Sequence, residues 1–213
     1  MRCDKAWMPL YAVTDRAWLM GRTLSQQVED ALAGGATCLQ LREKELDRAA
    51  FLAEAVELKA LCDRYGVPLI VNDDVEVAIQ SGANGVHIGQ HDAAADLVRR
   101  QIGPDRLLGV SAQTVEQAVK AERDGADYLG VGAVFSTGTK LDADDVSFEI
   151  LKAICQAVSI PVVAIGGITK ENISRLAGSG IDGVAVVSAI FAAPDIRSST
   201  ETLRQTVRRE LGV

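Results

Sequence analysis

Short apolar runs alternate along this chain with longer stretches in which apolar residues recur at helical spacing. Eight runs have the length and the Val, Ile and Leu content of β-strands. They are PLYAVT, TCLQLR, PLIVN, GVHIG, RLLGVS, DYLGVG, PVVAIG and GVAVVS. Such nearly continuous apolar character is typical of parallel strands that are covered by helices outside and packed by side chains inside. The pattern predicts a parallel sheet built from eight strand–helix units.

Glycine and proline mark the joints of this repeat. Glycines end the helical stretches before the even-numbered strands, at Gly35, Gly82, Gly125 and Gly180. Prolines stand where the first, third and seventh strands start, at Pro9, Pro68 and Pro161. Glycine reaches the left-handed conformation that ends helices, and a proline at a strand start is tolerated without its amide donor. We therefore predict an α/β fold, a single (β/α)8 TIM barrel with parallel strands that occupies residues 1–213 as one domain. An open doubly wound sheet shares the alternation and is the alternative.

Composition and charge narrow the possible partners. The chain is 48% apolar and 24% charged, as in ordinary globular proteins, and no apolar run reaches the roughly 18 residues of a membrane-spanning helix. The amino-terminal sequence lacks the features of a secretory signal, so we expect a cytoplasmic protein with no membrane partner. The net charge of −7 repels nucleic acid, which we exclude as a partner. An anionic substrate must then be held by local cations and backbone N–H groups.

The cysteines and histidines do not form a metal motif. The four cysteines lie far apart without a C-x-x-C pair and are predicted to be buried thiols. His87 and His91 have a spacing that suits a metal ion only on a helix, whereas His87 falls in an apparent strand. We do not expect a zinc site.

Polar residues cluster where the predicted strands end, and in a β/α barrel the loops after the strands form the active site. Strand two runs into Gln40, Arg42 and Lys44, which period-2 geometry puts on one face. An arginine and a lysine that point the same way favour an anion site. The alternative is a pair of surface cations beside Glu43 and Glu45.

Acidic residues follow the next two strands. Strand three ends in Asn72 and Asp73, and the segment after strand four contains Asp92. Two carboxylates on adjacent loops beside a cation pair suit a Mg²⁺ ion that keeps several waters and bridges to substrate phosphates. Both aspartates also precede helical patterns, so helix capping is the alternative.

Small hydroxyl residues follow strands five and six. Ser111 ends strand five and is predicted either to contact a ligand or to cap the next helix. The loop FSTGTK after strand six offers the hydroxyls of Thr137 and Thr139 and the ammonium of Lys140, a combination that favours phosphate. A flexible turn is the alternative, because Ser, Thr and Gly are common in loops.

The last two strands end in a pattern typical of phosphate binding in these barrels. Strand seven runs into Gly166 and Gly167, and strand eight into Val187 and Ser188, where a short helix is predicted. Backbone N–H groups of these loops and of a helix amino terminus hold phosphate in many barrels. A plain packing role for the glycines is the alternative.

Read in order, eight motifs resemble those of the thiamine phosphate synthase family. They are LYAVTDR, QLREK, VND, HIGQHD, GVSA, TGTK, AIGGI and VVSAI, and they cover nearly the full chain. The resemblance implies a Mg²⁺-dependent transferase of thiamine biosynthesis. Its two small-molecule substrates would be 4-amino-2-methyl-5-(diphosphooxymethyl)pyrimidine and a thiazole ethyl phosphate, joined with release of pyrophosphate.

The resemblance also implies roles for individual residues. The pyrimidine diphosphate would be held by Gln40, Arg42, Lys44, Asn72, Ser111 and Lys140. The thiazole phosphate would be held by Thr137, Thr139, Gly167, Val187 and Ser188. Asp73 and Asp92 would bind Mg²⁺, and Arg42, Lys44 and Lys140 would be catalytic because they stabilise the departing pyrophosphate.

Three rival functions share parts of this pattern. A thiazole tautomerase-like barrel would not need the two aspartates, and a sugar phosphate epimerase or isomerase would need an acid/base pair that the sequence does not reveal. A non-catalytic barrel that binds a thiamine precursor would not need both the metal site and the cations.

Overall fold

The computed structural model describes residues 3–136 and 146–213. Within them, eight parallel strands form a closed barrel in sequential order, and β1 pairs with β8 to close it. The strands are β1 (Leu10–Val13), β2 (Cys38–Leu41), β3 (Leu69–Asn72), β4 (Gly85–Ile88), β5 (Leu107–Ala112), β6 (Tyr128–Val131), β7 (Val162–Ile165) and β8 (Gly183–Val186). The predicted (β/α)8 barrel is confirmed, and the open sheet is excluded.

Helices follow the strands around the outside of the barrel. They are α1 (Leu24–Ala33), α2 (Arg48–Tyr65), α3 (Val75–Gln80), α4 (Ala95–Ile102), α5 (Val115–Arg123), α6 (Phe148–Ala157), α7 (Ser188–Phe191) and α8 (Ile196–Leu211). Short 3₁₀ helices span Lys5–Trp7, Arg16–Trp18 and Ile173–Leu176. The last of these stands between β7 and β8, where the repeat predicted an α-helix. No helix of the described ranges is long and apolar enough to cross a membrane.

Alternate residues of each strand pack into two separate apolar layers, as period-2 geometry requires. The side chains of Leu10 and Leu39 belong to the layer between the strands and the helices. Those of Tyr11, Cys38 and Tyr128 belong to a smaller cluster inside the barrel. All four cysteines are free; Cys38 and Cys62 are buried as predicted, and Cys3 and Cys155 are only partly buried. Burial raises the pKa of the Cys62 thiol to about 12.

The amino-terminal end of the barrel repeats one hydrogen-bonded clasp four times. The residue just before each even-numbered strand accepts, through its side chain, an N–H from the preceding odd-numbered strand. The bonds join Thr37 to Leu10 (2.9 Å), Asn84 to Leu69 (3.0 Å), Asp127 to Leu108 (2.8 Å) and Asp182 to Val162 (2.9 Å). Each clasp residue also donates its own N–H to the carbonyl of that same partner. Four equivalent clasps therefore fix the strand register at this end.

The glycines and prolines at the predicted joints have the expected backbone geometry. The glycines before the even-numbered strands have φ angles of 95°, 72°, 101° and 92° at Gly35, Gly82, Gly125 and Gly180. A side chain in that region of φ is strained, which is why glycine occupies these joints. The carbonyl oxygens of Pro9, Pro68 and Pro161 accept N–H groups from neighbouring strands, so each proline keeps its acceptor in the barrel although it lacks a donor.

Candidate functional site

The carboxyl ends of the strands bring most of the predicted site residues to one rim. Gln40 and Ser111 lie within β2 and β5, and Asn72 is the last residue of β3. Strand pairing aligns Gln40 with Ile70, two residues before Asn72, and aligns Asn72 with His87. Thr137, Thr139 and Lys140 lie outside the described residues.

The two predicted cations of strand two do not pair with the nearby glutamates. Lys44 Nζ lies 2.8 Å from Asp73 Oδ2, which joins the loop after β2 to the loop after β3. Arg42 Nη1 lies 3.5 Å from Asp15 Oδ2, on the loop after β1. Both cations are partly exposed and stand beside carboxylates of neighbouring rim loops. This arrangement differs from the alternative in which they pair with Glu43 and Glu45.

Glu43 has a role that sequence reasoning missed. Its Oε1 atom accepts the backbone N–H groups of Lys44, Glu45 and Leu46 at 2.7, 2.6 and 3.1 Å. Its other oxygen is ion-paired with Arg16, which also contacts Glu54 at 2.6 Å. Although burial raises the pKa of Glu43, these N–H donors and Arg16 outweigh it, and the net pKa is lowered. The ionised carboxylate therefore holds the backbone of the loop that presents Lys44.

Asp73 and Asp92 are not helix caps. The cap of α3 is Asp74, whose side chain accepts the Val77 N–H at 2.9 Å. The cap position of α4 is Ala94, which makes no side-chain cap bond. Asp73 instead has a left-handed φ of 64°, a strained conformation for a side-chain-bearing residue.

The two aspartates lie close enough to influence each other's charge. Burial raises the pKa of Asp92, and the neighbouring Asp73 carboxylate raises it further. The Gly89 N–H, which donates to Asp92 Oδ2 at 2.7 Å, and the more distant Lys44 ammonium act in the opposite direction. The rim therefore concentrates two mutually repelling carboxylates beside a lysine.

This donor set fits a magnesium ion. Among residues 3–136 and 146–213, no group of three or more His, Cys, Asp or Glu is arranged to hold a metal ion. Two carboxylates are nonetheless sufficient for Mg²⁺, which commonly keeps several waters and takes further oxygens from substrate phosphates. A divalent cation between Asp73 and Asp92 would also relieve their repulsion.

A hydrogen-bonded chain inside the barrel connects Gln40 to Ser111. Gln40 Nε2 donates to the Tyr11 hydroxyl at 3.0 Å, and the Tyr11 and Tyr128 hydroxyls are 2.8 Å apart. The Tyr128 hydroxyl is 3.1 Å from His87 Nδ1, and His87 Nε2 is 3.0 Å from Ser111 Oγ. Ser111 does not cap α5, because Thr114 does. Sequence reasoning assigned no role to Tyr11, Tyr128 or His87.

Two glycines make room for the aromatic members of this chain. A Cβ atom at Gly109 would overlap the Tyr128 ring and its hydroxyl as well as His87 Nδ1. A Cβ atom at Gly130 would stand 3.0 Å from His87 Cε1. Burial raises the pKa of Tyr11 and Tyr128 well above the usual range, so both hydroxyls keep their protons. The sequence signal was the period-2 position of these residues on the inner strand faces.

The loops after β7 and β8 start side by side, because these two strands are paired neighbours in the barrel. Gly167 has a φ of 62°, and a Cβ atom there would come within 2.7 Å of the Phe135 carbonyl oxygen and 2.6 Å of the Ser136 carbonyl oxygen. A residue with a side chain would not fit, so Gly167 packs closely against the backbone of the segment after β6, which agrees with the packing role given above as the alternative. Val187 immediately precedes α7, which starts at Ser188.

Comparisons with known proteins agree with one another. The family model for thiamine monophosphate synthase matches residues 10–190. Thiamine-phosphate synthases of Ruminiclostridium cellulolyticum and Clostridium tetani are 53% and 50% identical, each over 91% of this chain and 92% and 93% of their own lengths. The solved thiamine phosphate pyrophosphorylase of Pyrococcus furiosus has a TM-score of 0.90 and 38% identity, covering 98% of this chain and 99% of its own. The chain belongs to the thiamine monophosphate synthase family.

Proposed function

We propose that this transferase of thiamine biosynthesis joins 4-amino-2-methyl-5-(diphosphooxymethyl)pyrimidine to a thiazole ethyl phosphate and releases pyrophosphate. The observation that carries the proposal is the convergence of Lys44, Asp73 and Asp92 at the rim that also holds Arg42. Cations beside two carboxylates suit a diphosphate that arrives with magnesium. The names of the family's curated members agree with this reaction.

The rim divides into two parts that match two phosphorylated substrates. In the proposal, the pyrimidine diphosphate lies over strands two to five, on Gln40, Arg42, Lys44, Asn72 and Ser111, with Lys140 added from the loop after β6. The thiazole phosphate lies over the loops after β6, β7 and β8, on Thr137, Thr139, Gly167, Val187 and Ser188. The backbone at Gly167 and the start of α7 would offer N–H donors to the monophosphate.

The chain's own residues would stabilise charge and position the reactants. Asp73 and Asp92 would hold the magnesium ion, which supplies positive charge to the departing diphosphate. Lys44, which pairs with Asp73, and Arg42, which pairs with Asp15, would donate to diphosphate oxygens when the substrate binds. Departure of pyrophosphate leaves a pyrimidine-methyl cation, which the thiazole nitrogen attacks.

The rival functions receive less support from the geometry. The Ser111–His87 contact resembles a nucleophile and its base, but the other ring nitrogen meets a tyrosine where a catalytic triad has a carboxylate. A tautomerase or a passive binding barrel would leave the Asp73–Asp92 pair unexplained.

Combining the purified chain with both substrates, with and without Mg²⁺, tests the proposal. We expect thiamine phosphate and pyrophosphate only when both substrates and the metal are present. Conversion of the thiazole phosphate alone would favour the tautomerase, and binding without turnover would favour the passive barrel.

The variant Lys140→Ala should lose most turnover, whereas Lys152→Ala, at an exposed position of α6, serves as the matched control. Full turnover in the Lys140 variant would contradict the assigned role.

A further inference from the structure

With Gln40 Nε2 as its first donor, the hydrogen-bonded chain from Gln40 to Ser111 has one direction of donation. Tyr11 and Tyr128 are 1% and 0% exposed, so each hydroxyl proton needs an acceptor within the protein. Each hydroxyl has one proton to donate. When one hydroxyl donates its proton to a neighbouring hydroxyl, that neighbour must donate its own proton to the next group in the chain.

The counting starts at Gln40, whose amide nitrogen donates to the Tyr11 oxygen. Tyr11 then has its own proton to place, and the hydroxyl of Tyr128 is 2.8 Å away. Tyr128 accepts that proton and donates its own to His87 Nδ1 at 3.1 Å. His87 consequently carries its proton on Nε2 and donates it to Ser111 Oγ at 3.0 Å. The hydroxyl proton of Ser111 is not used within this hydrogen-bonded chain and can be donated to a ligand at the rim.

We propose that Tyr11, Tyr128 and His87 act as a positioning relay that makes Gln40 a hydrogen-bond acceptor and Ser111 a hydrogen-bond donor toward the pyrimidine substrate. The proposal rests on the function proposed above, which places that substrate on both residues. One of the two N–H groups of the Gln40 amide donates to Tyr11, which fixes the orientation of the amide, and its Oε1 atom is the acceptor that remains for the ligand. The matching ligand edge has an amino donor and an unprotonated ring nitrogen, as a 4-aminopyrimidine does. A 4-oxopyrimidine has the opposite pattern, with a carbonyl acceptor and a ring N–H.

The packing keeps the relay in this arrangement. The Tyr128 ring lies between the other two rings, with centroid distances of 5.9 Å to Tyr11 and 5.6 Å to His87. Gly109 and Gly130 leave the space that these rings occupy, so the His87 ring packs closely against Tyr128 and the two strands. A fixed ring with a fixed tautomer gives Ser111 one orientation. Such a relay acts on substrate choice and does not itself touch the reacting atoms.

Nitrogen-15 NMR of the substrate-free protein tests the relay without any enzymatic assay. The chain has two histidines, His87 and His91, so the spectrum contains two imidazoles, and His91→Gln assigns them. We expect His87 to be protonated on Nε2 in the wild type. Tyr128→Phe should yield a mixture of tautomers, whereas Tyr11→Phe should leave the Nε2–H tautomer in place because Tyr128 can still donate. An Nδ1–H tautomer in the wild type would overturn the proposal.

Competition between the 4-amino substrate and its 4-oxo analogue tests the consequence for specificity. We expect Tyr128→Phe to reduce the preference for the amino compound, as the ratio of kcat/KM values, by about tenfold or more, with little change in KM for the thiazole phosphate. Tyr65→Phe is the matched control, because Tyr65 is the one tyrosine of the chain outside the relay and lies exposed at the end of α2. An unchanged ratio in Tyr128→Phe would sink the relay even if the variant loses overall rate.

The two measurements separate failure of the relay from failure of the proposed function. If the wild type makes no thiamine phosphate while His87 shows the Nε2–H tautomer, the relay stands as a structural device and the substrate assignment fails. If the wild type is active while His87 shows the other tautomer, the function stands and the relay fails.

Discussion

The two ends of the barrel are built on opposite principles. At the amino-terminal end, one clasp is repeated four times, with Thr37, Asn84, Asp127 and Asp182 in equivalent positions. At the carboxyl-terminal end, each strand delivers different chemistry, from the amide of Gln40 to the carboxylate of Asp73. Repetition at one end fixes the strand register, and variety at the other is available for binding.

The electrostatics of the two ends differ in the same way. Asp127 is compensated by Arg99, which also donates to the carbonyl oxygens of Gly103, Arg106 and Gly125. At the other end, burial and the neighbouring Asp73 carboxylate raise the pKa of Asp92, and Asp73 has a strained backbone. Charged groups whose ion-pair and hydrogen-bond partners lie within the protein stabilise the fold. Charged groups that repel each other, or that stand on a strained backbone, are suited to bind a ligand. Substitutions at the two ends should therefore separate stability from activity.

Asp92→Asn should have the largest effect, and it should fall on catalysis. We expect kcat/KM to decrease about a hundredfold or more, because one of two proposed metal ligands loses its charge. Without metal, the thermal stability should stay equal or rise slightly: the folded pKa of Asp92 is raised, so keeping the carboxylate ionised at neutral pH opposes folding. Rates as a function of Mg²⁺ concentration and melting curves provide the two readouts. A strongly destabilised apo variant would contradict the comparison.

Asp127→Ala should have the opposite profile. We expect a loss of about 3 kcal/mol in the free energy of unfolding, because the Leu108 N–H and the Arg99 guanidinium lose a shared partner. The matched variant Asn84→Ala removes an equivalent clasp without a charge and should cost about 1 kcal/mol. Urea titrations measure both changes. The kcat of each folded variant should remain near the wild-type value, and a hundredfold fall would show that the two ends are not separable.

Gly109→Ala tests the side-chain packing inside the barrel, between its amino-terminal and carboxyl-terminal ends. The added methyl group would overlap Tyr128 and His87, and we expect it to lower the free energy of unfolding by about 2 kcal/mol. Gly130→Ala is the matched control on the next strand, where the nearest atom is 3.0 Å away, and its effect should be smaller. Equal effects of the two variants would mean that the space around Tyr128 is not a tight fit.

Apart from the control variants, Glu43→Gln should produce the smallest change, and that change should depend on pH. The folded pKa of Glu43 is lowered, so its stabilising contribution is present above the ordinary glutamate pKa and is lost as pH falls through the folded value. We expect the variant to be less stable by about 1.5 kcal/mol at pH 7, with the difference narrowing in acid. Unfolding titrations at neutral and acidic pH test this, and a difference that widens in acid would be inconsistent with the assigned cause.

Most of the fold could be predicted because its causes are local. Apolar runs of strand length, glycines at helix ends and prolines at strand starts each record a backbone requirement of their own segment. The exception is the 3₁₀ helix Ile173–Leu176 before β8. In the preceding loop, the Asn172 side chain bonds the Thr169 N–H and the Gly167 carbonyl oxygen. Such side-chain bonds compete with helix formation, and the apolar pattern does not show them.

The candidate site could be predicted only in outline. The order of motifs placed Arg42, Lys44, Asp73 and Asp92 on consecutive loops, because parallel strands present their carboxyl ends at one rim. The partners of these side chains were not predictable. Lys44 forms an ion pair with Asp73, and the Glu43 carboxylate accepts backbone N–H groups of its own loop. Partner choice depends on distances between loops that are far apart in sequence.

The sequence by itself determined the eight-unit repeat of parallel strands and the membership of the chain in its family, because each follows from residue type and order. Only the tertiary structure decided that Asp74, and not Asp73, caps α3, and that Tyr11, Tyr128 and His87 meet inside the barrel. These three side chains come from β1, β6 and β4, up to 117 positions apart. Closure of the barrel brings their inner faces together, and a buried hydroxyl must find its partner wherever closure places one.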